Sequence, residues 1–124
     1  MRDKKIISTN LILYCKNWKK TVLFYKDTLK FPILFSTDWF YEFMLNEASR
    51  LSIADENRSS IKTPPCKGIT ITLQVEDINM VWANFTGRQL TPTPIQTHPW
   101  NAKVFYIFDP EGHRLEIWQK TKEE

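Results

Sequence analysis

The chain has 124 residues, 42% hydrophobic and 25% charged, with a net charge of +3. That is one domain's worth of ordinary globular sequence, long enough to bury roughly two-thirds of the surface its unfolded form exposes. The lysines are spread along the chain and no long apolar run occurs, which argues against a nucleic-acid partner and against a membrane span.

The start, MRDKKIISTNLIL, is basic and then apolar. It is too short for a signal peptide and lacks a small-residue cleavage site. Residues 6–15 instead read as a strand, because they run apolar with β-branched enrichment. Trp18, Val22, Tyr25 and Leu29 then recur at spacings of three and four, which predicts a helix over about 17–29 with Asn17 at its N-cap. Three strand-like runs follow, at about 31–36, 38–46 and 50–55. Pro64 and Pro65 suit a linker. A strand is expected at 68–75, and Ile78, Val81, Trp82 and Phe85 predict a second helix over about 76–87, with Glu76 or Asp77 near its start. Strands at about 91–97, 103–108 and 113–119 close the chain, the last two joined by the turn Asp109-Pro-Glu-Gly112.

The second half repeats the first at an offset of about sixty residues. NLILYC, residues 10–15, falls opposite TITLQV, residues 70–75, and RLSIAD, residues 50–55, falls opposite RLEIWQ, residues 114–119. The expected fold is α+β: two βαβββ modules, about 5–60 and 66–120, in one domain, their sheets pairing into a curved half-barrel around a cup. Alternation turns Leu11 and Leu13 toward the helices. It then directs Asn10, Ile12 and Tyr14, Thr70, Thr72 and Gln74, Arg50 and Ser52, and Glu116 and Trp118 toward the cup.

This pattern resembles the vicinal oxygen chelate superfamily, which includes glyoxalase I, extradiol dioxygenases, and fosfomycin- and bleomycin-resistance proteins. The likeness spans the chain. It is strongest in LFYKDTLKF, residues 23–31, similar to the family's FYxDxLGF, and in FDPEGHRLEIWQ, residues 108–119. Pro99-Trp100-Asn101 followed by Val104-Phe-Tyr is similar to the PWG…REF of the bleomycin-resistance branch, with Asn for Gly. Enzymes of the superfamily hold a divalent metal with His and Glu from the first and last strand of each module. The resemblance carries those positions onto Asn10, Ser52, Thr70 and Glu116. Only Glu116 is a strong ligand, whereas a divalent cation normally wants at least three from His, carboxylate or thiolate. No metal and no other cofactor is therefore expected.

Glu116 then reads as an anchor for a ligand or a general base, or as a carboxylate satisfied by Arg50, Arg114 or backbone groups. Aromatic residues make up 14% of the chain, and some are expected to line the cup. The candidates are Trp39, Tyr41 and Phe43 on the third strand, and Trp100, Tyr106 and Trp118 in the second half, with Phe108 alongside. His98, beside Trp100, lies near the expected mouth of the cup. His113 follows the Gly112 turn and is expected to face solvent. Neither histidine has a partner at metal-ligand spacing. Cys15 has no base marking it as a nucleophile. Two cysteines are too few for a disulfide framework, so a reducing cytoplasm is the expected location, and the N-x-S/T triplets at Asn57 and Asn84 read as chance.

The leading expectation is a protein that binds and sequesters a small aromatic or apolar metabolite or drug, as an antibiotic-resistance protein does, and forms a homodimer, as is common in the resembling family. Bleomycin-resistance members resemble acidic proteins that take up a cationic drug, which the +3 charge disfavours here. The alternatives are a metal-dependent lyase, isomerase or dioxygenase drawing on His98, His113, Glu42 or Asp55, and metal-free acid–base catalysis by Glu116 with Tyr14 or Tyr106.

Overall fold

The computed structural model describes residues 6–60, 69–88 and 90–121. Pro64 and Pro65, read as a linker, lie outside the described residues, as do Cys66 and most of the charged ends. The chain is α+β and forms two compact units that divide between residues 65 and 66.

The first unit contains strands β1 (Thr9–Cys15), β2 (Ile33–Ser36), β3 (Phe40–Asn46) and β4 (Ser49–Asp55), with helix α1 (Trp18–Leu23) between β1 and β2. Its sheet runs β1-β4-β3-β2, with β1 parallel to β4 and the other pairs antiparallel. Strand β1 can lie parallel to β4 because the helix and two strands intervene in sequence. Trp18, Thr21 and Val22 of α1 are buried with Tyr25 and Leu29, over Leu13 and Cys15 of β1, Leu51 and Ile53 of β4 and Phe43 of β3. The Trp18 indole N–H donates to the carbonyl of Ile53 at 2.9 Å, which ties the helix start to the sheet. Full burial of each of Phe43, Leu51 and Ile53 contributes roughly 1.5–3 kcal/mol.

The helix expected over 17–29 is α-helical only to Leu23. Phe24–Thr28 form a π-helical turn, with the Leu29 N–H donating to the Phe24 carbonyl. The wider turn lets two adjacent rings, Phe24 and Tyr25, both turn inward. The chain then leaves through Lys30 at φ 60°, with the Phe31 N–H reaching back to the Tyr25 carbonyl. This is the left-handed exit that usually takes glycine. Asn17 stands at the N-cap but makes no side-chain cap.

The second unit repeats the plan with β5 (Thr70–Gln74), α2 (Ile78–Gly87), β6 (Gln96–His98), β7 (Ala102–Phe108) and β8 (Arg114–Lys120), in the order β5-β8-β7-β6. Its core is Ile71, Ile78, Phe105, Ile107, Leu115 and Ile117, and Phe85 packs edge-on against Phe105. Asp77 caps α2 by accepting from the Met80 N–H, and the Gln119 side chain accepts from the Ile78 N–H. Strand β6 is shorter than the expected 91–97, because Pro92 and Pro94 have no N–H for a ladder. Asn101 occupies φ 63°, where the resembling motif has glycine. Asn is among the residues that tolerate that region. Among the described residues no helix is long and apolar enough to cross a membrane.

Candidate functional site

Each sheet has one face under its helix and one turned away, and the second carries the polar residues. In the first module, β1 and β4 place Asn10 and Ser52 on that open face, where the Ser52 hydroxyl donates to Asn10 Oδ1 at 2.8 Å. Strand β3 adds Glu42, which pairs with Ser52 across the ladder. The Glu42 carboxylate meets Arg50 Nε at 3.1 Å, and Arg50 also donates to the Ser8 hydroxyl. Among the described residues, the two charges on this face, Glu42 and Arg50, are paired with each other.

Two aromatic residues expected on this face lie on the other. Tyr41 pairs with Ile53 and Phe43 with Leu51, and residues directly opposite in an antiparallel ladder share a face. Tyr41 therefore packs 6.0 Å from Trp18, and Phe43, fully buried, lies 6.0 Å from Tyr25. Their alternation was legible, but its phase was not, because the β3–β4 register shifts between Met44 and Asn46. Trp39 sits in the bend before β3 with its ring edge-on to Phe40.

In the second module, Thr70 and Thr72 of β5, Tyr106 and Val104 of β7, and Arg114, Glu116 and Trp118 of β8 share the open face. Glu116 is the centre of its polar contacts. Thr72 donates to Glu116 Oε1 at 2.7 Å, and the Tyr106 hydroxyl donates weakly to Oε2 at 3.5 Å. Thr70 does not reach the carboxylate; its hydroxyl accepts from Arg114 Nε at 3.0 Å. The Arg114 guanidinium lies 4.7 Å from the centre of the Tyr106 ring. Thr93 holds Tyr106 in place, its hydroxyl accepting from the Tyr106 N–H and its own N–H donating to the Tyr106 carbonyl. Sequence reasoning missed this support and gave Thr72 a face but no role.

Beside Glu116 lies a pocket of about 310 Å³ lined by Thr72, Trp100, Ala102, Val104, Glu116 and Trp118. Trp100 is exposed and is braced by His98, the two rings stacked at 4.5 Å and 8°. The small Ala102 and Val104 side chains leave the space that the two indoles border.

His113 was expected in solvent and is instead buried. Its Nδ1 lies 2.7 Å from Asp109 Oδ2, and Asp109 Oδ1 accepts from the backbone N–H groups of Glu111 and His113. The carboxylate organises the turn, and Gly112, at φ 92°, closes it by donating its N–H to the Asp109 carbonyl. A hairpin this tight draws the residue after the turn under the sheet.

The family model for the Glyoxalase/Bleomycin resistance protein/Dioxygenase superfamily matches residues 7–117, and the chain belongs to that superfamily. Among solved structures it is similar to a glyoxalase/bleomycin resistance protein/dioxygenase from Nocardioides, with a TM-score of 0.79, 17% identity and coverage of 98% of this chain and 87% of that one. A lactoylglutathione lyase from Agrobacterium tumefaciens matches with a TM-score of 0.74, 16% identity and coverage of 90% and 91%. TnmS3, an antibiotic binding protein from Streptomyces sp. CB03234, matches with a TM-score of 0.74, 16% identity and coverage of 92% and 95%. At such identities the likeness shows the fold alone, and that fold is shared by a lyase and an antibiotic-binding protein.

Proposed function

We propose that this chain binds and sequesters a small ring-bearing molecule on the open face of its second module, without a resident metal. The observation that carries this reading is the pocket of about 310 Å³ between Trp100, Trp118 and Glu116. Apolar walls with a few fixed polar groups are the usual makeup of a small-molecule site. Indole faces stack planar ligands, and the half-buried carboxylate orients them.

The donor set does not fit the metal that the fold family implies. Of the four corresponding positions, Asn10 and Ser52 are hydrogen-bonded to each other, and Thr70 has the Arg114 cation against its hydroxyl. Glu116 is left as the one strong donor, fewer than a divalent site ordinarily has. Loading the protein with Mn, Fe, Ni, Co and Zn in turn, followed by dialysis and mass spectrometry, is expected to give near-zero occupancy. One ion per chain would sink the metal-free reading.

The direct test is tryptophan emission titrated with indole and naphthalene derivatives. Quenching that weakens in Trp118→Phe supports the pocket, and unchanged emission with every compound removes it. The reading also includes a homodimer. Exposed Ile33, Leu34 and Phe35 lie on edge strand β2, where the matching edge β6 has Gln96, Thr97 and His98. An uncovered apolar edge is a template for pairing. Sedimentation is expected to show a dimer that Phe35→Lys shifts toward monomer, and a monomeric parent protein would discard this part. A cytoplasmic location is proposed from the low cysteine count alone.

A further inference from the structure

This inference rests on the pocket reading above and concerns the chemistry of the ligand. On the open face of β8 three unlike groups follow one another at every second residue: Arg114, Glu116 and Trp118. Steps of two residues space them about 6.6 Å apart along the strand. Glu116 accepts one short hydrogen bond, from Thr72, and one long one, from Tyr106. A carboxylate has about four acceptor positions, so it can take another donor. Arg114 gives its Nε–H to Thr70, and its Cζ lies 4.7 Å from the centre of the Tyr106 ring. Among the described residues no carboxylate pairs with it, and its remaining N–H groups form the fork that matches a carboxylate. In the first module the equivalent Arg50 is already closed on Glu42 at 3.1 Å. In the second module the two charges are not paired with each other: Arg114 lies over the Tyr106 ring and Glu116 accepts from its hydroxyl.

We propose that the second module recognises a zwitterion of the amino-acid type, with its carboxylate on Arg114, its ammonium on Glu116 and its ring in the pocket against Trp118 and Trp100. In such a molecule the carboxylate, the ammonium and the ring-bearing side chain branch from one carbon, and Arg114, Glu116 and Trp118 on one face of β8 offer each branch its own partner. A simple amine leaves Arg114 unmatched, and a simple acid meets the negative charge of Glu116.

Four probes that share a phenyl ring test the proposal: L-phenylalanine, 2-phenylethylamine, 3-phenylpropionate and neutral 3-phenylpropionamide, each titrated calorimetrically into the full chain. L-phenylalanine is expected to bind at least tenfold more tightly than each of the others, a difference of about 1.4 kcal/mol. Arg114→Gln is expected to bring it down to the level of the amine, and Glu116→Gln to the level of the acid. Arg114→Gln is expected to keep the parent's circular dichroism and its binding of 2-phenylethylamine, so a loss through misfolding is recognised. Equal affinity for the four probes overturns the zwitterion and leaves the ring pocket standing. Binding of none at millimolar concentration overturns both. A full preference that survives Arg114→Gln and Glu116→Gln overturns the assignment of the two charges.

Discussion

The two modules share a sheet order, an arginine at the start of the last strand and a carboxylate on the open face, yet they place that carboxylate on different strands. In the first module it is Glu42 of β3, opposite Ser52, and it closes on Arg50. In the second it is Glu116 of β8, opposite Tyr106, and it is held by Thr72 instead of Arg114. A neutralised face has little left to offer a charged ligand. A face with separated charges and a pocket beside them has an unmet demand, since each group in a partly dry site gains from a matching partner. The same repeat thus yields one closed face and one open one through a carboxylate moved to a neighbouring strand.

The sharpest way to break this comparison is to show that the faces are assigned wrongly. Phe43→Ala is expected to lower stability by about 3–5 kcal/mol in urea unfolding, because the ring is fully buried under the helix. Trp118→Ala, on the open face, is expected to cost much less and to act on ligand quenching. Equal losses would undo the distinction between the faces.

A second difference lies in the hairpins before the last strands. The first module turns on Asn46, whose side chain accepts from the Ala48 N–H at an exposed site. The second turns on the buried Asp109–His113 pair. His113→Ala is expected to cost about 2–4 kcal/mol, because it strands a buried carboxylate oxygen. Ser49→Ala, at the matching position, is expected to cost well under half of that.

The helix ends differ as well: Lys30 sits at φ 60°, whereas the C-cap of α2, Arg88, has φ −99°. Lys30→Gly is expected to stabilise the protein by about 1 kcal/mol through relief of the left-handed backbone. The smallest effect is expected from Glu42→Gln. The Arg50 pair it weakens is part-exposed, and such pairs contribute about 0–1 kcal/mol. A loss of several kcal/mol in thermal unfolding would mean that the first face depends on its ion pair far more than its exposure allows.

Much of this was legible in the sequence because it depends on local period. Seven of the eight strands and the starts of both helices lie near their expected positions, since side chains alternate in strands and recur every three to four residues in helices; β6 begins at Gln96 and α1 gives way to a π-helical turn at Phe24. The internal repeat located the two last strands, and with them Glu116 and Trp118 on one face; the structure adds Arg114 to that face, opposite Thr70. The resemblance to the superfamily, laid over that repeat, also marked Ser52 as the position where the first module lacks a strong ligand. Where longer-range geometry entered, the sequence was silent. The phase of β3 against β4 passes through an irregular register, so Tyr41 and Phe43 went to the helix side, Phe43 fully buried, and Glu42 to the open face. The burial of His113 depends on how a tight turn folds under its own sheet. The use of Thr72 by Glu116, and of Thr70 by Arg114, depends on cross-strand neighbours brought together from 44 residues away. Periodicity is a property of adjacent residues and can be read from their order. Register and pairing are decided by which strands meet and where, and only the folded chain settles that.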